Sequence, residues 1–161
     1  MRVLGVDPGT RVCGYGVIDV NGAELRTIDF GVVRAAERKP LPERLKIIHE
    51  GLASVIAQHR PDVVAVEGAF HGVNARTAIK IGEGRGVALL AAAAAGLEVA
   101  EYAPATVKKA VAGMGGADKN QVQQMVRVEL GLRDVPEPDD AADALAIAIC
   151  HCHRKRLGEL T

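Results

Sequence analysis

An α/β domain built on a mixed five-stranded sheet flanked by helices is what this sequence predicts, and three observations predict it. Short valine-rich runs that end in an acid recur at residues 2–7 and 63–67, and an Asn21-Gly22 pair separates two alternating segments. From Leu41 onward the apolar spacing lengthens from about two residues to about 3.6, the change expected when strands give way to helices.

Taken in order, Arg2–Asp7 is an apolar run halted by Pro8-Gly9, a strand stopped by a turn. Cys13–Val20 alternates loosely around Gly14 and Gly16, and Asn-Gly is a strong signal for a tight hairpin. Glu24–Val33 then closes an antiparallel meander of three strands. Leu45, Ile48, Leu52, Val55 and Ile56 share one face of an amphipathic helix that starts near Leu41 and ends at Pro61. Val63–Glu67 is apolar without alternation, as expected of a strand covered on both faces. A second helix over Ala75–Ala95 stops at Gly96, and Leu97–Tyr102 supplies the fifth strand. Gly82, Gly84 and Gly86 weaken that helix by about 1 kcal/mol each relative to Ala, which calls for either a closely packed neighbouring helix or a glycine-rich loop. Three helices follow, from about Pro104, over Gln121–Leu130 and over Asp140–His153, divided by Gly113, Gly115 and Gly116 and then by Pro136 and Pro138.

The 161 residues suit one domain, read as 1–156 with a short tail over 157–161. Hydrophobic residues make up 48% but aromatic ones only 2%, so the core must be aliphatic and few side chains can stack on a ligand. Twenty acidic residues balance twenty basic ones, so net charge alone announces no polyanion partner. If several acids gather in one site, however, the rest of the surface is left basic. Three cysteines suit a reducing cytosol, and neither a leader-like segment nor a run near ~18 apolar residues is visible. A cytoplasmic protein without a membrane partner is the expectation.

The chemistry lies in the acids. Asp7 and Glu67 each close an apolar strand, and in an open α/β sheet the ligand crevice lies at the carboxyl ends of strands. Each could simply cap a loop; if the two strands are parallel neighbours, the acids emerge side by side and call for a cation between them. Asp139, Asp140 and Asp143 open an otherwise apolar helix, with 140 and 143 one turn apart on the same face. Capping and the helix dipole account for Asp139 or Asp140, but not for an Asp at 143 amid Ala and Ile with no Lys or Arg within a turn. Four carboxylates from three segments, without a His or Cys ligand set, are hard oxygen donors that suit Mg²⁺ or Mn²⁺ and phosphoryl chemistry. Two such ions about 3.5–4 Å apart would suit phosphodiester hydrolysis.

These residues resemble the RuvC Holliday-junction resolvase (crossover junction endodeoxyribonuclease) family along nearly the whole chain. The resemblance is carried by Gly5-Val-Asp-Pro-Gly-Thr-Arg11, Gly14-Tyr-Gly-Val17, Glu67-Gly-Ala-Phe70, residues 74–86, Ala117-Asp-Lys-Asn-Gln-Val-Gln-Gln-Met-Val126 and Asp140-Ala-Ala-Asp143 with the apolar run to Ile149. It implies a ribonuclease-H-like fold acting as a homodimer, with up to two Mg²⁺ per subunit. The implied activity is paired nicking of four-way DNA junctions in recombination and repair, leaving 5′-phosphate ends. Asp7, Glu67, Asp140 and Asp143 match the catalytic, metal-holding acids, and the Asp-Ala-Ala-Asp spacing leaves Asp139 as a capping or outer-shell acid. Lys108 and Lys119 match basic positions near the scissile phosphate, with Lys119 counted among the catalytic residues. Phe70 matches a base-contacting position. The family's partners are the junction-binding RuvA and the branch-migration motor RuvB.

From the residues themselves, Phe70 sits in a Gly-rich stretch beside an acid, where stacking on an unpaired base stabilises by ~1–3 kcal/mol. Arg76 and Lys80 share a helix face just after it, and Arg11 follows the first acid, so all three are candidate phosphate contacts. Cys150-His151-Cys152-His153 has the wrong spacing for one metal site in a helix and reads as a helix end. A sugar-kinase-like ATPase would need a second lobe that this length does not provide. Other ribonuclease-H-like nucleases share the acids but not the 121–126 segment. A junction-binding module without chemistry would break the carboxylate set, which is intact.

Overall fold

Val3, Leu4, Val6 and Val63–Val66 are buried side chains of the two strands at the heart of the sheet. The computed structural model describes residues 1–68 and 72–158. In chain order it contains β1 (Arg2–Asp7), β2 (Val12–Asn21), β3 (Glu24–Arg34), α1 (Leu41–His59), β4 (Val63–Glu67), α2 (Ala75–Ala94), β5 (Glu98–Tyr102), α3 (Pro104–Ala112), α4 (Lys119–Glu129) and α5 (Asp139–Gly158). The sheet order is β3-β2-β1-β4-β5, with β1–β3 an antiparallel meander and β1, β4 and β5 parallel. The mixed five-stranded sheet is therefore as expected, and its element order matches the sequence reading throughout.

Alternation along the strands splits the core in two. Val3, Ile18, Val63 and Ala65 face α3, α4 and α5, while Leu4, Val6, Val17, Val64 and Val66 face α1 and α2. Helix α5 lies directly on the first face because Gly5, Gly14 and Gly16 stand beneath it. A Cβ on Gly5 would run into the Ala144 carbonyl oxygen, and one on Gly14 into that of Asp140. Such close helix–sheet contact fixes where the first turn of α5 stands relative to the end of β1.

Boundaries differ from the sequence reading where caps intervene. Helix α4 begins at Lys119 rather than Gln121, because the Asp118 side chain accepts from the Gln121 amide while the Gln121 side chain accepts from the Asp118 amide, a reciprocal capping box. Helix α1 ends at His59, one residue before the left-handed Arg60 (φ 48°), so Pro61 follows the stop rather than making it. Helix α5 runs through Gly158, past the tail boundary read at 156, and Cys150–His153 lie within it rather than at its end. There His151 Nδ1 and the Tyr102 hydroxyl are 2.8 Å apart, and His153 Nε2 is 2.8 Å from Glu129. Helix α2 is continuous through its glycines, which removes the loop alternative. Gly84 lets α2 approach the Gly9 backbone, where a Cβ would sit 2.9 Å from the carbonyl carbon, whereas Gly82 and Gly86 face open space.

Candidate active site

Parallel register aligns Val6 of β1 with Val66 of β4, so Asp7 and Glu67 leave their strands as neighbours. Both continue the alternation of Val3/Gly5 and Val63/Ala65, so both point to the face that α5 covers. Helix α5 brings Asp140 and Asp143 to the same place from its first turns. The glycine floor decides this, since Gly14 of β2 pairs with Asp7 and lies directly under Asp140.

Charge crowding is strongest at Asp7. Burial, then the charges of Asp143, Asp140 and Glu67, push its carboxyl up to about 8, with a side-chain hydrogen bond to Asp140 adding to the rise. Glu67 is raised by burial and by Asp143, with the Lys108 charge opposing. Asp143 is likewise raised by burial, opposed by Lys119. Three acids holding up a fourth is an arrangement that a cation would relieve. The four do not face one cavity, however. Asp7, Glu67 and Asp143 line a cavity of about 320 Å³ with Lys108 and Lys119, while Asp140 lines its neighbour. Among the described residues, no three His, Cys, Asp or Glu side chains are drawn onto a common point as a ready metal cage. The donor set itself, all carboxylate, fits Mg²⁺ or Mn²⁺.

Asp143 has no Lys or Arg within a turn on its own helix, but another helix supplies one. Lys119 Nζ of α4 stands 3.5 Å from Asp143 Oδ2 and 3.2 Å from Asp139 Oδ2. Asp139 is not a cap: the Pro138 carbonyl accepts from the Ala141 amide at 2.9 Å to start the helix, and Asp139 turns outward to Lys119 and Gln123. Cys13 lies nearby, and burial with the Asp7 charge pushes its thiol up to about 12, so it is unreactive.

The neighbouring cavity, about 570 Å³, is basic. Arg11, Arg44, Arg76 and Lys80 line it against two acids, Glu83 and Asp140, together with Thr10 and Ile79. Three of these were predicted as phosphate contacts, and they converge from two segments. Arg11 also pairs with exposed Glu37 at 2.9 Å. Sequence reasoning missed Arg44, whose Nη1 donates to the Thr10 carbonyl at 3.1 Å and whose Nε donates to the Lys39 carbonyl at 3.2 Å, shaping the loop after Asp7. It also missed Tyr102, whose carbonyl accepts from the Gly68 amide at 2.7 Å and so anchors the chain leaving Glu67. The spacing of Arg44 from Leu45 and Ile48 on α1 holds no hint of the former, since its partner is 34 residues away. Phe70 lies outside the described residues.

Residues 3–151 match the family model described as crossover junction endodeoxyribonuclease RuvC. The chain is similar to proteins of that name from Chloroflexus aurantiacus, at 55% identity over 95% of this chain and 93% of the relative, and from Desulfitobacterium hafniense, at 52% over 98% and 95%. Among solved structures, RuvC of Thermus thermophilus bound to a Holliday junction substrate superposes with a TM-score of 0.91 at 41% identity, covering 98% of this chain and 96% of that one. The yeast mitochondrial Holliday junction resolvase, at 12% identity and a TM-score of 0.69 over 98% of this chain and 80% of that one, shares the fold.

Proposed function

The chain belongs to the RuvC family of crossover junction endodeoxyribonucleases, and from that premise we propose how its own residues resolve a four-way DNA junction. It is a Holliday junction resolvase, a nuclease of recombination and repair with a ribonuclease-H-like fold. The single observation that carries the site assignment is Asp7 crowded by Glu67, Asp140 and Asp143 beside a basic cleft. Those four acids would hold up to two Mg²⁺ ions, with Mn²⁺ able to substitute, which when bound supply an activated water and neutralise charge on the scissile phosphate. Arg11, Arg76 and Lys80 take the DNA backbone along the cleft, positioning it without reading sequence. Lys108 and Lys119, on the rim of the acid cavity, face the charge that develops on the phosphate. Phe70 stacks on an unpaired base at the junction, and the cut leaves 5′-phosphate ends.

A homodimer is proposed on the exposed face of α2. Ile79 and Leu90 are 61% and 60% exposed, and Gly82 and Gly86 between them meet nothing within 4 Å, a face shaped for close apposition of a second copy. Gly82→Leu adds bulk that the single chain accommodates freely, so it is expected to shift sedimentation from dimer to monomer; an unchanged dimer would place the interface elsewhere. RuvA and RuvB as partners, and work in the cytoplasm, follow from family membership. Among the described residues no helix is long and apolar enough to cross a membrane.

The experiment is a cleavage assay with Mg²⁺ on synthetic four-way junctions, linear duplex and RNA–DNA hybrid, followed by ligation of the products without kinase treatment. Junctions are cut selectively and the nicks ligate. Asp7→Asn lowers cutting by at least about 10³-fold while junction binding holds or tightens, because a negative charge beside phosphate is removed. Normal cutting by Asp7→Asn would sink the acid assignment, and cutting of the hybrid alone would sink the substrate.

A further inference from the structure

Asp139 is the acid beside the four that match the catalytic set, and it does not cap its helix. Its carboxylate bridges two side chains one turn apart on α4: Oδ2 stands 3.2 Å from Lys119 Nζ, and Oδ1 accepts from Gln123 Nε2 at 3.0 Å. Lys119 is the first residue of α4, immediately after the Asp118 cap, so the backbone beneath it is fixed by the reciprocal Asp118–Gln121 hydrogen bonds. Its flexible side chain is not fixed by that cap. At 55% exposure, a lysine stem with four rotatable bonds would otherwise range through solvent.

We propose that Asp139 is a positioning residue for Lys119, holding its ammonium at the rim of the acid cavity with Gln123 fixing the orientation of the carboxylate. Asp143 Oδ2, at 3.5 Å, is the second, looser partner. Held between these two oxygens, the ammonium belongs to a residue that lines the same cavity as Asp7, Glu67 and Asp143 before DNA arrives. On phosphate entry it can leave Asp143, whose carboxylate is then free for a cation, while Asp139 keeps it from leaving the site. Asp139 thus acts on catalysis through Lys119 and not by touching the reacting atoms. This rests on the proposed role of Lys119 at the scissile phosphate.

The test is single-turnover cleavage of a four-way junction at saturating enzyme, with junction Kd and the Mg²⁺ concentration for half-maximal rate measured alongside. Asp139→Ala is expected to lower the rate about three- to fivefold, the modest factor of an exposed ion pair, with Kd and Mg²⁺ midpoint unchanged. Asp139→Glu restores most of the rate. Gln123→Ala loses less, and adds nothing on top of Asp139→Ala. In a Lys119→Ala background, followed over hours under enzyme excess, removing Asp139 adds no further loss. An equal loss in both Lys119 backgrounds, a raised Mg²⁺ midpoint or no loss at all would overturn the proposal. If Asp7→Asn is inactive while Asp139→Ala cuts at the normal rate, the positioning role alone fails; if Asp7→Asn also cuts normally, the acid assignment fails with it.

Discussion

Helices α2 and α5 are both 20 residues long, and one packs against Gly9 just after Asp7 while the other carries two of the acids around it, yet they are opposite kinds of element. In α5 eleven residues are buried, from Ala141 through Cys152. In α2 only Gly84, Ala88, Ala91 and Ala92 are. The first is a core helix whose only polar turns are its ends, so its opening acids are aimed by packing and cannot drift. The second is a surface helix that brings Arg76 and Lys80 to a cleft while leaving Ile79 and Leu90 in solvent. One side of the site is a rigid instrument for chemistry; the other is a field of charge for a long, variable ligand. Precision there resides in burial, and reach resides in exposure.

The sharpest way to break this comparison is at the floor of α5. In Gly14→Ala the new methyl meets the Asp140 backbone, which belongs to a helix packed along its whole length and unable to yield cheaply. A destabilisation of about 3 kcal/mol is expected in urea melts, with cutting lost because Asp140 and Asp143 move off Asp7. Gly82→Ala on α2 meets nothing and is expected to stabilise the monomer by up to about 1 kcal/mol. If Gly14→Ala melts and cuts like the parent chain, packing does not aim the acids.

The same division explains what could be read without coordinates. Strand ends and helix faces are local patterns, so Asp7, Glu67 and the 140/143 pair were legible from apolar runs and spacing. The pairing of β1 with β4 stood in the sequence only as a condition for the two acids to meet, and the parallel register supplies it. Lys119 beside Asp143 was not legible, because the two lie on different helices and nothing in their spacing joins them. Arg44 reaching Thr10 was hidden for the same reason. The start of α4 is legible after all, since Asp118-Lys-Asn-Gln121 is a readable capping box. That Asp140 lines the basic cleft while the other three acids line the second cavity depends on how the segments pack, which periodicity does not carry.

A smaller effect sharpens the chemical side. Asp7 has a folded-state pKa raised from 3.8 to about 8, chiefly by burial and then by Asp143. Because the unfolded chain ionises first, stability is highest below about pH 4 on this account and falls as pH rises toward 8. In chelator-treated protein, Asp7→Asn is expected to remove that slope and to exceed the parent in stability at pH 8 by at least about 1 kcal/mol. Added Mg²⁺ should flatten the parent's profile and leave that of Asp7→Asn nearly unchanged. Parallel profiles for the two proteins would mean that the crowding at Asp7 is already relieved within the chain.

The exposed side should answer differently, and more gently. Arg76 and Lys80 lie on a helix with few buried anchors, so replacing either by Ala leaves the fold intact and removes one cation from the cleft. Each loss is expected to weaken junction binding and to reduce the slope of log Kd against log salt by about 1, with no change in which strand sequences are preferred. The double variant should lose about 2 from that slope, because contacts to separate phosphates release separate counterions. Fluorescence anisotropy across a salt series reads this directly. An unchanged slope would mean that DNA runs elsewhere, whereas a changed sequence preference would mean that α2 reads bases as well as carrying charge.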